Sequence, residues 1–399
     1  MSTPVPPGIK EMVERYRAEL DRGLERREVA ARPGEVCVGE IAFTGQGAEY
    51  FRIWVVNLLL TLLTAGLYSP WAKVRKARYF RQNTRLDGHV FDYHGNPVAI
   101  LRGRIVALVL LGAYSWAFQF SKPAGLVTVG VLCVVGPWLL MRAQQFSLSN
   151  TSFRGLRFGF DARVGPAYRA ALPPLVLWLA PTVAGALASS LGWLAVIPGV
   201  AFVLTVPWMH HRIKAYQHRH AAYGDRRFTF TSATPRFYAV YAKGLGLVLL
   251  GGILPAVAMV VLVVLLRFLV GPPVSDPTVG PVVAGVLGTA LVYVIGWPYL
   301  AARLQQVVWT RTRLGDIRFG TEIRPLRLFR LVLANGVLTL VSAGLYWPWA
   351  AVALARYRIE CVRVEADLPL SALAAGVQRA AVSAAGVGAA DVFGFDIGL

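Results

Sequence analysis

The chain has 399 residues, of which 56% are hydrophobic, and its formal net charge is +20 at pH 7. Such an apolar composition excludes an ordinary soluble domain, whose surface needs more polar side chains. Cys37, Cys133 and Cys361 stand far apart, which excludes a disulfide framework and a cysteine-based metal motif. Apolar runs such as 171–188 and 244–266 have the length of membrane-spanning helices, so we expect a membrane protein.

Residues 1–38 are predicted to form an amphipathic, basic N-terminal helix and a linker. Apolar side chains recur at helical spacing between Ile9 and Val29, and the other face carries arginine and glutamate. This pattern is typical of a helix that lies on a membrane surface, and a partner-binding helix is the alternative. The first residues lack the basic-then-apolar pattern of a secretory signal peptide.

Two twenty-residue stretches, one near each end of the chain, have nearly the same sequence. They are LTLLTAGLYSPWAKVRKARY, residues 60–79, and LTLVSAGLYWPWAAVALARY, residues 338–357. Glycine, proline and polar residues hold many of the matching positions, and an asparagine precedes each stretch. Small and polar residues let helices approach and form hydrogen bonds in lipid. We therefore select six structural or pore-lining candidates: Asn57, Gly66, Pro70, Asn335, Gly344 and Pro348.

Each matching stretch belongs to a single apolar segment, about 52–71 and about 328–349. A segment of this length can cross a membrane once. We expect ordinary spanning helices. The alternative is a segment that enters the membrane, breaks at its glycine and proline, and returns to the same side. The two asparagines are expected to form hydrogen bonds between helices, with lining of a pore as the alternative.

A proline followed by an aromatic residue recurs five times and divides the chain into quasi-repeats. In four copies an arginine follows the aromatic residue by four positions, which is one helical turn, so both lie on one helix face. An aromatic belt beside basic residues at the membrane surface would explain this pattern. The sharper hypothesis is a binding site for an anionic ligand or lipid, formed by Arg75, Arg142, Arg212, Arg303, Trp71, Trp138, Trp208 and Trp349.

Three pairs of apolar segments are expected to form spanning hairpins, at roughly 105–141, 171–209 and 244–302. Lysine and arginine concentrate in the connections between the hairpins, so the positive-inside rule places these connections in the cytoplasm. Alternating phenylalanine and polar residues within them, as in HVFDYHG and RRFTFTS, predict short strands. The predicted fold is an all-α polytopic membrane protein with about eight membrane helices, three hairpins plus the two matching segments, joined by short β-rich basic connections.

The stretch that begins at Phe43 carries a resemblance to a known family. It contains FTGQGAEYFRIWVVNLLLTLLTAGLYSPWAKVRKARYF and then TRLDGHVFDYHGNPVAILRGR. This resembles the opening of the YjgN family, bacterial inner-membrane proteins grouped as a domain of unknown function, and the resemblance extends over most of the chain. It implies a polytopic inner-membrane protein and brings no substrate, cofactor or catalytic residue. We assign residues 39–369 to a YjgN-like membrane domain with five quasi-repeats and residues 370–399 to a poorly ordered C-terminal tail.

Few residues in the chain have the pattern of a reactive site. The apolar segments contain no Asp or Glu, which disfavours a proton- or sodium-coupled carrier with a buried carboxylate. His210, His211, His218 and His220 cluster in one connection, but arginine and lysine intervene and no carboxylate or cysteine joins them. We therefore predict no metal site and no cofactor. No nucleophile–base set or phosphate-binding loop occurs, which disfavours an enzyme.

Two functions remain after these exclusions. We expect a transporter- or channel-like multi-pass protein of the bacterial inner membrane for a small or anionic solute, because internal repeats with broken segments are typical of transporters. The alternative is a non-transporting lipid-binding or scaffolding membrane protein, which the repeated basic and aromatic faces favour. The expected partners are anionic membrane lipids. Nucleic acid is not expected, since the membrane accounts for the charge, and homo-oligomerisation is left open.

Overall fold

The structure, a computed structural model, describes residues 37–366 except 162, 188–195, 255–256, 259, 262–263 and 266–278. The predicted N-terminal helix and the predicted tail lie outside the described residues. Over this part of the chain, helical hairpins and β-hairpins alternate.

The helices are α1 (Gly47–Leu63), α2 (Ser69–Gln82), α3 (Pro97–Phe120), α4 (Lys122–Ser149), α5 (Val164–Leu187), α6 (Val196–Arg219), α7 (Thr234–Val248), α8 (Val279–Thr310), α9 (Pro325–Val341) and α10 (Trp347–Glu360). A π-helical turn, Leu249–Ile253, follows α7. The strands are β1 (Cys37–Gly39), β2 (Ile41–Phe43), β3 (Thr84–Leu86), β4 (His89–Tyr93), β5 (Thr151–Phe153), β6 (Leu156–Phe160), β7 (Ala221–Tyr223), β8 (Arg226–Phe230), β9 (Thr312–Leu314), β10 (Ile317–Thr321) and β11 (Val362–Ala366).

Local sequence explains the β-hairpins, because each closes through a two-residue turn that contains a glycine. In the β3–β4 turn, Asp87 and Gly88 both have positive φ, 51° and 77°, as a type I′ turn requires. In the β7–β8 and β9–β10 turns the glycine comes first, Gly224 with φ 62° and Gly315 with φ 57°, as in type II′. These turns match the twist of the flanking strands and fix the pairing register.

The eleven strands form one antiparallel sheet that returns to its starting segment. The strand order is β1-β11-β10-β9-β8-β7-β6-β5-β4-β3-β2, and only Glu40 separates β1 from β2. The sheet is therefore a nearly closed barrel. One backbone hydrogen bond recurs around it at 2.8 to 3.0 Å, from the amide of the residue after one strand to the carbonyl of the residue before the next strand in the sheet. These bonds are Thr44–Asn83, His94–Asn150, Asp161–His220, Thr231–Arg311 and Glu322–Cys361.

Large apolar side chains fill the interior of the barrel. One hydrophobic cluster takes members from ten strands, β2 to β11. Its ring centroids lie close together, 4.6 Å apart for Phe91 and Phe153 and 4.9 Å apart for Phe158 and Tyr223. Alternate residues of a strand point to the same side. The first aromatic residue of each alternating motif, such as Phe91 or Phe228, belongs to this core, and the second packs against helices. The strands expected in HVFDYHG and RRFTFTS are present, as β4 and β8.

The helices surround the same axis at one end of the barrel. A helix precedes each β-hairpin and another helix follows it, and both join the hairpin at its open end. The helices therefore lie at one end of the barrel and the tight turns lie at the other. Each helix contacts the next along the chain, and α10 contacts α1, which closes a ring. We call α2, α4, α6, α8 and α10 the outgoing helices, because each leads into a strand.

The predicted all-α fold with about eight membrane helices is wrong. The basic connections do not form separate short strands, because they pair with one another in a single eleven-stranded sheet. Helical hairpins occur in the three expected regions, but among the described residues only α3 and α4 are long and apolar enough to cross a membrane. The helices of the two matching stretches have 17 and 14 residues each, fewer than the roughly 20 that a spanning helix needs.

The two matching stretches are helix–turn–helix units, so the expectation of one ordinary span in each is wrong as well. After α1, Ala65 and Gly66 have φ 49° and 90°, and after α9, Ala343 and Gly344 have the same values. The amide of Gly66 donates to the carbonyl of Thr61 at 2.7 Å, and its counterpart Gly344 repeats the contact at 2.7 Å. This is a Schellman ending, which needs a left-handed residue and therefore reverses the chain at this point.

Candidate functional site

The recurring prolines lie at equivalent places on the outgoing helices. All five are buried, and the residue one turn later is buried too. Pro70 and Pro348 occupy the first turn of α2 and α10, where a missing amide costs little. The other three lie inside longer helices, which continue through the proline instead of ending there. The recurring prolines are Pro70, Pro137, Pro207, Pro298 and Pro348.

The four predicted arginines make local contacts, each with its own quasi-repeat. The guanidinium carbon of Arg142 lies 5.7 Å from the ring centroid of Trp138, and that of Arg212 lies 4.8 Å from the ring centroid of Trp208. Arg75 lies 5.6 Å from the ring of Tyr68, and Arg303 donates to Gln306 Oε1 at 2.9 Å. No contact in the described residues joins two of these arginines, so their convergence on one ligand stays a prediction.

The two remaining tryptophans have different neighbours. The ring of Trp71 stacks on Tyr68 at 6.0 Å, and the ring of Trp349 stacks on Tyr346 at 5.8 Å, so this contact is repeated in both matching stretches. Trp349 also lies 4.9 Å from Phe51 of α1, across the contact that closes the ring. Trp349 thus joins the last quasi-repeat to the first, a role that the repeat pattern alone could not reveal.

The two asparagines do not occupy equivalent surroundings. Asn335 is partly buried and donates to the carbonyl of Leu331 at 2.7 Å, within its own helix. Asn57 is 7% exposed, and its Oδ1 has no hydrogen-bond partner within the described structure. An unpaired buried carbonyl oxygen costs about 1–3 kcal/mol, so Asn57 is the less satisfied of the pair.

The clustered histidines have separate structural partners. Nε2 of His211 accepts from the amide of Ala233 at 3.2 Å, which leaves the proton on Nδ1 to donate to Thr234 at 3.1 Å. His210 contacts the Tyr241 hydroxyl at 2.8 Å, and His218 contacts Thr312 at 3.1 Å.

Burial and the nearby charge of Lys214 lower the pKa of both His210 and His218 to about 4. In the part of the chain that is described, no three His, Cys, Asp or Glu side chains are grouped to hold a metal ion. Neutral histidines with protein partners act here as buried polar supports for the junction between α6 and its neighbours.

A group of polar and cationic side chains that the sequence analysis missed lies where the ring meets the barrel. Lys214 is on α6 and Arg358 is on α10, each within a few residues of the strand that follows. Arg358 Nε donates to Gln305 Oε1 of α8 at 3.0 Å, and Gln305 Nε2 donates to the carbonyl of Arg358 at 3.0 Å. The sequence positions could have revealed part of this group, because Gln144, Lys214 and Gln305 each stand seven residues after a recurring proline.

Exposed arginines cover the outer face of the barrel. Arg313 and Arg318 are direct cross-strand partners, although like charges in such a pair repel. Arg227 forms an ion pair with Asp161 at 3.2 Å, which offsets part of the charge. The exposed arginines on this face are Arg85, Arg157, Arg227, Arg313, Arg318 and Arg363.

The chain was compared with known proteins. A family described as "Bacterial protein of unknown function (DUF898)" matches residues 39–392. "Inner membrane protein YjgN" of Salmonella typhimurium (strain LT2) is 23% identical over 361 residues, which are 82% of this chain and 89% of the relative. "Inner membrane protein YjgN" of Escherichia coli (strain K12) is 31% identical over 125 residues, 30% of each chain. No solved structure matches. The chain belongs to the YjgN family of bacterial inner-membrane proteins, whose function is unknown.

Proposed function

We propose that this protein is a non-transporting, lipid-binding membrane protein that holds a basic β-barrel at the cytoplasmic face of the inner membrane. The main support for this proposal is the filled interior of the barrel, to which ten strands contribute apolar side chains. A channel that ran along the common axis would need a polar path through this core, and a packed apolar core opposes ions and polar solutes.

The distribution of exposed side chains supports the orientation. Large exposed apolar residues concentrate on the helices; on the candidate span α3, Leu108 is 66% exposed and Trp116 is 63% exposed. The barrel instead exposes arginines. Apolar side chains on the helical half favour contact with lipid, and the positive-inside rule favours the cytoplasm for the barrel.

The arginine–tryptophan pairs support the choice of ligand. On α4 and α6 they follow the exposed apolar part of the helix and precede the strands, so they stand at the boundary between the two halves. Tryptophan is enriched at the level of lipid headgroups, and nearby arginine attracts anionic lipid. Stacking on Trp138 and Trp208 holds Arg142 and Arg212 in place for a phosphate group.

Retained lipid tests the proposal directly. Native mass spectrometry of detergent-extracted protein should show bound anionic phospholipid. The double variant Arg142→Gln/Arg212→Gln should retain roughly 30-fold less, since each basic residue near a membrane contributes about 1 kcal/mol. Arg157→Gln, an exposed arginine on the barrel, is the matched control and should retain as much lipid as the unaltered protein. Equal retention in the double variant would contradict the lipid-binding role of the pairs.

Sidedness needs a separate experiment. A single cysteine at Ser121, between α3 and α4, and one at Asp225, in the β7–β8 turn, should react differently with a membrane-impermeant thiol reagent in intact spheroplasts. We expect labelling at Ser121 and protection at Asp225, in a chain without its native cysteines. Labelling at both positions in sealed spheroplasts would refute a cytoplasmic barrel.

A carrier or channel for a small or anionic solute is the second candidate. The closed ring of helices favours it, since polar residues at equivalent positions on α4, α6 and α8 repeat around that ring. Uptake of phosphate or chloride into proteoliposomes, above the leak of liposomes without protein, would favour this candidate over the first.

A further inference from the structure

The ring of helices is much lower on one side than on the other. The recurring prolines mark one level of the ring, because they occupy equivalent places on the outgoing helices. Beyond this level α4 extends about 22 Å, from Pro137 to Lys122, and α8 about 28 Å, from Pro298 to Val279, at 1.5 Å per residue. In contrast, α2 and α10 begin one residue before their proline. The hairpins α1–α2 and α9–α10, which we call the short hairpins, are neighbours in the ring and form its low side.

The short hairpins have the depth of half a membrane. The last charged residue before the tip of the first is Arg52, and that before the tip of the second is Arg330; both side chains are exposed. From each arginine the helix continues to its last residue, Leu63 or Val341, over about 16 Å at 1.5 Å per residue. The hydrocarbon core of a bilayer is about 30 Å thick, so a hairpin whose arginine lies at the headgroup level turns near the midplane.

The tips of the short hairpins are apolar and exposed. Residues 53–72 and 331–355 contain no charged side chain. Leu63 and Val341, at the ends of α1 and α9, are each 81% exposed. The tip of the taller α3–α4 hairpin is different, because Lys122 is exposed there and an ammonium group needs water or a headgroup. The taller hairpin therefore ends in a side chain suited to a membrane surface, whereas the short hairpins end in side chains suited to hydrocarbon.

The turns at these tips satisfy their own polar groups. Every backbone amide from residue 64 to residue 69 donates a hydrogen bond within the hairpin, and all but one donate to carbonyls at 2.7 to 3.1 Å. The remaining amide, that of Tyr68, donates to Thr64 Oγ1 at 3.0 Å, and this hydroxyl donates to the carbonyl of Leu60 at 2.7 Å. The second short hairpin repeats this arrangement with Ser342 in the place of Thr64. A turn that lies in lipid needs such internal pairing, because no water is present to replace it.

We propose that the short hairpins enter the membrane from the side of the barrel, turn near its midplane, and bind the acyl chains of far-leaflet phospholipids over their tips. The low side of the ring leaves room for these chains, beside α3 and α4, which are long enough to reach the far surface. The tips are uncharged, so this surface does not select headgroups, unlike the arginine–tryptophan pairs. The proposal needs a membrane location but not the proposed lipid-binding function, so either can fail without the other.

A charge placed at a tip tests this position through stability. Leu63→Lys should lower the melting temperature of the full-length protein in phospholipid nanodiscs by roughly 5 °C, because an ammonium group near the midplane is costly. Ser121→Lys, at the tip of the α3–α4 hairpin, is the matched control and should melt like the unaltered protein. In water an exposed leucine can be replaced without such a loss, so unchanged melting of Leu63→Lys would overturn the proposal. If Leu63→Lys does not fold, Leu63→Gln against Ser121→Gln supplies the comparison.

Spin labels identify what covers the tips. Leu63→Cys, Val341→Cys and Ser121→Cys are labelled one at a time, in nanodisc-embedded protein without its native cysteines. Dissolved oxygen enters the hydrocarbon, whereas a polar nickel chelate stays in water. We expect oxygen to reach the labels at residues 63 and 341, and the chelate to reach them roughly tenfold less than the label at residue 121, since polar groups are excluded from hydrocarbon.

Two results of the labelling experiment would overturn the proposal. Equal access of the chelate to the labels at residues 63 and 121 would place the tips in water. Shielding of the tip labels from both oxygen and the chelate would mean that protein covers them, either a second copy or a part of this chain outside the described residues. Phospholipids that carry a nitroxide at the methyl end of the acyl chain should quench a fluorophore at residue 63 more strongly than phospholipids that carry it near the headgroup. The opposite order would place the tips at the membrane surface and would equally refute the proposal.

Discussion

Gly47→Ala should weaken the contact that closes the ring of helices. Gly47 is the first residue of α1, and a Cβ built there would lie 2.7 Å from Cγ and 2.8 Å from Nε1 of Trp349 on α10. The indole would have to move, at a cost of about 1–3 kcal/mol for overpacking. Its contact with Phe51, at 4.9 Å, would be lost as well, for about 0.5–1.5 kcal/mol. We expect a total loss of stability of about 1.5–4.5 kcal/mol.

Denaturant unfolding of the detergent-solubilised protein measures this loss, and Gly336→Ala is its control. Gly336 lies inside α9, and a Cβ added there would meet no atom within 4 Å, so alanine should stabilise this helix by about 0.5–1 kcal/mol. Adding Trp349→Ala to Gly47→Ala should relieve the clash, so the two changes together should cost less than the sum of their separate costs. If Gly47→Ala behaves like Gly336→Ala, α1 and α10 are not in contact and the ring is open.

Three further outcomes are expected from the same unfolding assay. Acidification from pH 6.5 to 4 should destabilise the fold. His210 and His218 have a pKa of about 4 in the folded protein, so the unfolded chain takes up their protons at a higher pH than the folded one does. At pH 5 the free energy of unfolding should be lower by about 2 kcal/mol for each histidine. Stability that is unchanged from pH 7 to pH 5 would contradict their burial. Tyr357→Phe should cost about 1–3 kcal/mol, since its hydroxyl bonds both the amide and the carbonyl of Arg324, at 2.9 and 3.2 Å. Gly344→Ala should cost about 1–2 kcal/mol through backbone strain at φ 90° alone, and a free energy of unfolding equal to that of the unaltered protein would refute the left-handed turn.

The repeating unit could be predicted from local sequence, whereas its closure into a barrel could not. Asp87-Gly88 and Gly224-Asp225 are hairpin signals that can be read from a few residues, and the alternating phenylalanines mark the strands beside them. Sheet closure depends on pairing between distant residues such as Cys37 and Ala366, which no short pattern encodes. The positive charge of the connections was real, but it does not belong to separate loops: most of it lies on helices, and a smaller part lies on the outer face of the sheet.

The site residues divide in the same way. The arginine–aromatic spacing of one helical turn predicted pairs that do form on α4 and α6, because such pairs are local to one helix. Gln305 and Arg358 come from different quasi-repeats and stand at different positions within them, so no repeat pattern links them. Their hydrogen bonds form because the ring of helices brings α8 and α10 together.

The barrel takes its fifth pair of strands from both ends of the described chain, β11 from one and β1 with β2 from the other. During synthesis, β1 is therefore made early and stays unpaired until β11 is translated, more than three hundred residues later. Until then, β1 and β10 each present an unpaired edge, which is a template for aggregation and a target for proteases. A chain stopped before Val362 would leave both edges open permanently. Completion of the barrel thus distinguishes a finished polypeptide from a truncated one, and a cell's degradation machinery could recognise the difference by these edges alone.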